Sequence, residues 1–252
     1  MATSAPILAT RDLGLDIGGA RIVADVSLEV RAGELVGIIG PNGAGKTTLF
    51  NLLSGLLRPT AGTVELRGRD ITGLPPYRRT RAGLGRTFQV SSVFPLLSVH
   101  ENVRLAAEAD LGGSLRIWRR AASVREALVR AEEALVRAGL SARALWPAGL
   151  LSHGDKRKLE LAMLLAARPE VILLDEPMAG VSAEDVDELV ELIRIVHRTG
   201  TTVLMVEHRM EVVVGLAERI AVMHHGSLLA FDEPAAVMAN ETVQTAYLGE
   251  PL

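Results

Sequence analysis

Residues Gly40-Pro41-Asn42-Gly43-Ala44-Gly45-Lys46-Thr47 fit G-x-x-x-x-G-K-[ST]. No other stretch limits the fold as tightly, because this spacing works between a buried strand and a helix. Before it, Leu35-Val36-Gly37-Ile38-Ile39 is the nearly all-apolar run expected of a strand covered on both faces in a parallel sheet. After it, Leu49, Leu52, Leu53 and Leu56 recur at helical spacing. The glycines let the backbone take positive φ and turn successive N–H groups inward, and the helix adds the positive end of its dipole. Such a nest takes an anion, which makes Gly40, Pro41, Asn42, Gly43, Ala44, Gly45, Lys46, Thr47 and Thr48 candidate phosphate-binding residues. Lys46 is placed to reach the β- and γ-phosphates of a nucleotide, and the Thr47 hydroxyl to serve as a ligand to Mg²⁺.

The 252 residues, 48% of them apolar, suit one large α/β domain or one domain with an inserted subdomain. A net charge of −3 gives no overall attraction to nucleic acid or anionic lipid. The absence of cysteine excludes disulfides and thiolate metal sites. No apolar run approaches the length of a bilayer span and the N-terminus lacks a signal pattern, so a cytoplasmic protein is expected. With 3% aromatic residues the apolar mass is aliphatic, which suits sheets covered by helices and leaves room for an apolar docking face.

From Ile7 to Val30 the sequence alternates, as in Val26, Leu28 and Val30, and predicts half-buried antiparallel strands; Thr63 to Leu66 predicts another. Residues 68 to 86 are rich in Gly, Pro and Arg and are expected to form a solvated loop that includes Arg78, Arg79, Arg81 and Arg86. Ser98-Val99-His100-Glu101 and Ser123-Val124-Arg125-Glu126 both fit a capping box and predict helix starts. After the second, Val124, Leu128, Ala131, Leu135 and Ala138 mark one face, and Gly139 stops the helix. Gly112-Gly113 suggests a loop. Residues 90 to about 165 thus form a helical insert, after which strand and helix alternate again: Val171 to Leu174, a helix over Ala183 to Arg198, and Thr202 to Val206. Ile220 to Met223 and Ser227 to Phe231 flank His225-Gly226 as a hairpin, and the tail is short and helical.

In open α/β sheets ligands lie beyond the carboxyl ends of strands, and the strand ending at Leu174 runs straight into Asp175-Glu176. Asp175 is placed to hold the Mg²⁺ shell and Glu176 to orient or deprotonate an attacking water. The next strand ends in Glu207-His208, which brings an imidazole to the same crevice for a γ-phosphate contact. Leu151-Ser152-His153-Gly154-Asp155 opens a helix whose first turn crowds Lys156, Arg157 and Lys158 against the dipole, an arrangement that suits either a nearby anion or acidic partner or a solvated basic turn whose side chains swing away, the reading composition alone favours.

The ordered set of Gly40 to Thr47, Gln89, Leu151 to Asp155, Val171 to Glu176 and His208 resembles the nucleotide-binding subunit of an ATP-binding cassette (ABC) transporter over nearly the whole chain. The resemblance implies a single ABC ATPase domain, an α/β P-loop NTPase. Residues 1–89 carry an N-terminal antiparallel β lobe and the P-loop part of a RecA-like core, 90–165 an inserted α-helical subdomain, and 166–252 the rest of the core and the C-terminal tail. It makes these segments the Walker A loop, the Q-loop, the signature motif, Walker B with its catalytic glutamate, and the switch histidine, with Ala179-Gly180-Val181-Ser182 at the D-loop. Glu176, His208 and Gln89 are then the catalytic residues, and Thr47, Gln89 and Asp175 the Mg²⁺ ligands. Ile17 stands where an aromatic side chain stacks on adenine. Two ATPase subunits, like or unlike, are expected to pack head to tail so that Ser152 and Gly154 of one cap the γ-phosphate held by the other. His153, Asp155 and Ser182 depart from the usual signature glycine and glutamine and from the D-loop Asp or Asn.

Gly83-Leu84-Gly85-Arg86-Thr87-Phe88-Gln89 and Ala246-Tyr247-Leu248-Gly249-Glu250 further resemble ATP-binding subunits of importers of branched-chain amino acids and of urea or amides. This likeness implies ATP and Mg²⁺, membrane-spanning permease subunits, a periplasmic binding protein as indirect partner, no nucleic acid, and a peripheral place on the cytoplasmic face of the inner membrane. Two alternatives stay open. A non-transport ABC ATPase acting on DNA or ribosomes would carry a long coiled coil or tandem cassettes, neither of which the sequence has, and a P-loop kinase of small molecules would not need Ser152 and Gly154.

Overall fold

A computed structural model of the chain describes residues 5–87, 93–111 and 117–248. Gln89, Phe88, the Gly112-Gly113 pair, and Gly249 and Glu250 of the tail motif therefore lie outside the described residues. The chain begins with β1 (Leu8–Ile17), β2 (Ala20–Val30), β3 (Leu35–Ile39), α1 (Lys46–Ser54), β4 (Ala61–Leu66), β5 (Arg69–Asp70), α2 (Pro76–Arg81) and β6 (Leu84–Arg86). The helices α3 (Val99–Leu111), α4 (Ile117–Arg137) and α5 (His153–Ala167) follow. Then come β7 (Val171–Asp175), α6 (Ala183–Arg198), β8 (Thr202–Val206), α7 (Met210–Leu216), β9 (Arg219–His224), β10 (Ser227–Asp232), α8 (Pro234–Met238) and α9 (Glu241–Leu248). They form two compact units, one of residues 1–85, 170–176 and 200–252, the other of 86–169 and 177–199.

The first unit is built on two sheets. One is antiparallel, in the order β2-β1-β4-β5, as the alternation of its strands predicted. The other runs β10-β9-β3-β8-β7-β6, with β9, β3, β8 and β7 parallel and β10 returning antiparallel through a tight hairpin. Every residue of β3, β7 and β8 is buried, which is why these strands read as unbroken apolar runs. Leu49, Phe50, Leu52 and Leu53 of α1 share one core with Ile38, Leu173 and Val206 of the parallel sheet and with Leu13, Val26 and Val64 of the antiparallel one. The helix that leaves the phosphate loop is thus held from both sides.

The segment expected to be a solvated arginine loop is not one. Arg79 is 1% exposed. Its Nη1 donates to Leu52 O and Leu53 O at 2.7 Å, Nη2 to Thr72 O at 2.7 Å and Nε to Leu74 O at 3.0 Å. A cation here serves the free carbonyls and the negative dipole end of α1. Gly55, the C-cap of α1 at φ 80°, leaves the room: a Cβ there would lie 2.7 Å from Arg79 Nε. The charge pattern alone gave no sign of this, because two of the four carbonyls that bury the guanidinium come from the end of α1.

The second unit contains α3, α4, α5 and α6. Ser98 caps α3 as expected, its Oγ accepting from Glu101 N–H at 3.1 Å, while the Glu101 carboxylate pairs with Arg104. Ser123 starts no helix: α4 is already running from Ile117, so its N–H lies inside the helix, where a capping box has no orphan donor to satisfy. The buried face of α4 is Ala127, Ala131, Ala134 and Leu135, while Val124 and Leu128 are exposed. Small residues let α3 and α5 pack closely on that side, and Ala131, Leu135 and Ala138 of the expected face are buried there.

Candidate functional site

The parallel register sets the carboxyl ends of three strands level. Ile38 pairs with Val206, and Val206 with Asp175, so the chain leaves β3, β8 and β7 at one edge of the first unit. The phosphate loop leaves β3 there. Gly40, at φ 151°, could carry no side chain, since a Cβ would lie 2.2 Å from Met223 O. Gly45, at φ 95°, is the N-cap of α1, and a Cβ on it would lie 2.9 Å from Ile22 O. Being glycine, Gly45 offers no side-chain cap, so the first N–H groups of α1 are left for a ligand. The β9–β10 turn fastens the loop from behind, with Gly226 N–H donating to Ala44 O at 3.1 Å. Sequence reasoning did not identify Met223, Gly226 and Ile22 as walls of the loop, because the contacts are made by main-chain atoms whose identity no motif records.

Lys46 is buried, and its Nζ donates to Gly40 O at 2.7 Å and Pro41 O at 2.9 Å. Burial lowers its pKa from the ordinary lysine value, while the carboxylates of Glu176 and Asp175 pull it back up. Those two groups therefore act on the same ammonium, as expected of one site. Thr47 and Thr48 are half-buried in the first turn of α1. Asp175 is fully buried at the end of β7. Glu176 follows at φ 48°, a left-handed conformation uncommon for a side-chain-bearing residue. Its N–H donates to Val206 O at 2.9 Å, which holds the turn, and its Oε1 lies 3.0 Å from His208 Nε2. A carboxylate only accepts, so Nε2 carries the proton in this contact. His208 and Glu176 are both solvent-accessible. Ile17 ends β1 with its side chain 54% exposed.

Ser152 and Gly154 belong to the second unit. Ser152 is the N-cap of α5, its Oγ accepting from Asp155 N–H at 3.1 Å. Gly154 is packed against α6 so closely that a Cβ would lie 2.7 Å from Asp185 Oδ2. Two of the three crowded cations of this turn, Arg157 and Lys158, find carboxylates within the chain. Asp155 accepts from Arg143 Nη1 at 2.7 Å, Arg157 pairs with Glu160 at 2.9 Å, and Lys158 pairs with Glu188. An outside anion is not required to explain Arg157 and Lys158. Among the described residues no group of three or more His, Cys, Asp or Glu side chains is arranged to hold a metal, and no helix is long and apolar enough to cross a membrane.

Residues 23–179 match the family described as ABC transporter. The chain is 43% identical over 255 aligned residues to the high-affinity branched-chain amino acid transport ATP-binding protein LivG of Salmonella typhimurium, covering 98% of this chain and 99% of that one. It is 38% identical to the corresponding protein BraF of Pseudomonas aeruginosa, over 98% and 99% of the two chains. Among solved structures, the ADP conformation of MJ1267, an ATP-binding cassette of an ABC transporter, superposes with a TM-score of 0.84 at 29% identity, covering 98% of this chain and all of the other. A dimeric post-hydrolysis state of the cassette MJ0796, bound to ADP and Pi, superposes with a TM-score of 0.76 at 26% identity over 90% and 98%. A P-loop core with an antiparallel sheet and helical elements, matched by such relatives over nearly its full length, places this chain in the ABC transporter family as a nucleotide-binding ATPase cassette.

Proposed function

We propose that the chain is the ATP-hydrolysing subunit of an importer for branched-chain amino acids, working at the cytoplasmic face of the inner membrane. The observation that carries the reading is the shared edge where Lys46, Asp175, Glu176 and His208 meet, in a chain 43% identical to LivG. Gly40 to Thr48 hold the phosphates of ATP, with Lys46 on the β- and γ-phosphates. Leaving Gly40 O and Pro41 O, its ammonium exchanges two carbonyls for phosphate oxygens. A threonine hydroxyl and one buried carboxylate fit Mg²⁺, which takes few protein ligands and the rest from phosphate and water. Thr47, Asp175 and Gln89 would hold it, and it would supply positive charge against the phosphates. Glu176 orients or deprotonates the attacking water, and His208 fixes that carboxylate and meets the γ-phosphate. Ile17 offers the base an apolar contact. Ser152 and Gly154 cap the γ-phosphate of a second ATPase subunit.

The second unit carries an apolar surface suited to permease subunits. Phe94, Leu96, Leu145, Trp146 and Leu150 are 51–93% exposed on adjoining segments, linked by Ala148 N–H to Leu97 O and Gly149 N–H to Pro95 O, both at 2.9 Å. Clustered exposed apolar side chains of this size favour a protein partner. A periplasmic binding protein would take part only through the permease. Glu176→Gln is expected to lower ATP turnover about 10²- to 10⁴-fold while ATP-dependent dimerisation persists. Normal turnover in that variant refutes the role of Glu176. Co-purification of permease subunits, followed by ligand assays on their binding protein, tests the substrate class, and a ligand other than a branched-chain amino acid overturns it.

A further inference from the structure

The signature turn and the D-loop of this chain are tied together by a side chain that the usual pattern lacks. His153 is the first residue of α5, and its ring is exposed. Its Nε2 lies 3.1 Å from Ala179 O. A carbonyl only accepts, so Nε2 donates, which both the Nε2–H tautomer and the imidazolium can do. The ring also lies against the next residue: Gly180 is at φ 71°, and a Cβ there would be 3.1 Å from Nε2. Within the loop, Met178 and Val181 are buried, whereas Ala179, Gly180 and Ser182 are exposed. Packing fixes the two buried residues and the Val181 N–H···Met178 O bond at 3.3 Å closes the turn between them, while the imidazole ties the exposed crest to α5. Beside it, Ser182 Oγ donates to Asp185 Oδ2 at 2.8 Å, and that same carboxylate borders Gly154.

We propose that His153 is a positioning residue that fastens the exposed D-loop crest to the signature turn, so that both reach a partner subunit as one preassembled surface. The inference rests on the reading of Ser152 and Gly154 as a cap supplied in trans. A glycine at 153 would leave the Ala179 carbonyl to water and the crest free to sample other conformations. Partner association would then include the cost of ordering it.

The test uses the full chain with His153→Gly and His153→Gln. ATPase activity is measured against protein concentration, nucleotide affinity at dilute protein, and amide exchange over residues 178–182. One hydrogen bond at an exposed site corresponds to a roughly 3- to 10-fold bias. His153→Gly is expected to need that much more protein for half-maximal turnover and to speed exchange in the crest by a similar factor. Nucleotide affinity at dilute protein and Tm stay at wild-type values. His153→Gln, whose amide donates at similar reach, restores most of the difference. A glycine variant with wild-type concentration dependence and exchange overturns the proposal, as does a glutamine variant that fails to rescue. Wild-type turnover independent of protein concentration would instead overturn the trans-cap reading, and the exchange measurement would still decide whether His153 holds the crest.

Discussion

Replacing Arg79 by Met keeps most of the length and the apolar stem of the side chain but removes every donor. Four main-chain carbonyls, Leu52 O, Leu53 O, Thr72 O and Leu74 O, then lose their partner in a buried place. Hydrogen bonds from a charged donor contribute about 1.5–3 kcal/mol each. Their sum overstates the loss, because burying the guanidinium is itself costly. Burial lowers the Arg79 pKa while the nearby Asp70 charge raises it. Leaving buried acceptors unsatisfied costs about 1–3 kcal/mol apiece, and with part of that relieved by water the net loss is about 3–5 kcal/mol. For a chain of this size each kcal/mol moves Tm by about 2–4 °C, so a drop of about 6–20 °C is expected. Differential scanning calorimetry with urea titration checks this, and Arg79→Lys, with three donors for four carbonyls, falls between. If Arg79→Met melts within about 2 °C of wild type, the carbonyls have found water and the claim that Arg79 anchors the end of α1 is wrong.

Because burial lowers the Lys46 pKa and phosphate favours the charged ammonium, ATP affinity should weaken as pH rises through the lowered value, with proton uptake on binding. Without nucleotide the sign reverses. The unfolded chain binds the extra proton, so stability contributed at this residue rises with pH between the lowered and the ordinary lysine values. Calorimetry in buffers of different ionisation enthalpy reads the uptake, and Lys46→Ala should abolish it. Gly40→Ala would drive a Cβ to 2.2 Å from Met223 O, and ATP affinity should fall by about tenfold or more, roughly 1.4 kcal/mol, in fluorescent-nucleotide titrations. Asp155→Ala removes the acceptor of Arg143 and a neighbour of Lys158, and urea melts should show a loss of about 1–3 kcal/mol. An unchanged midpoint would argue that Arg143 and Lys158 re-pair with other carboxylates.

The elements around the phosphate loop were legible because local and global signals coincide there. Leu35 to Ile39, Val171 to Leu174 and Thr202 to Val206 are apolar throughout and form fully buried parallel strands, and the loop glycines stand where the backbone takes positive φ. What escaped depends on partners distant in sequence. Two of the four carbonyls that bury Arg79 lie more than twenty residues upstream, a fact absent from its own neighbourhood. Ser123 carries a capping pattern whose meaning depends on where the helix began. Lys158 looks unbalanced until α6 brings Glu188 beside it. The Glu176–His208 contact spans 32 positions, and only the register of β7 with β8 makes it foreseeable.

Glu176 holds its carboxylate on a backbone turned to φ 48°. A side chain there costs roughly 1–2 kcal/mol, a penalty that glycine escapes. Selection for thermal robustness alone would therefore drift toward glycine at this position, yielding a hardier cassette without the carboxylate that we propose acts on the attacking water. An engineer who screens libraries of this protein by melting temperature should hold codon 176 fixed, since here the stabilising choice and the working choice point in opposite directions.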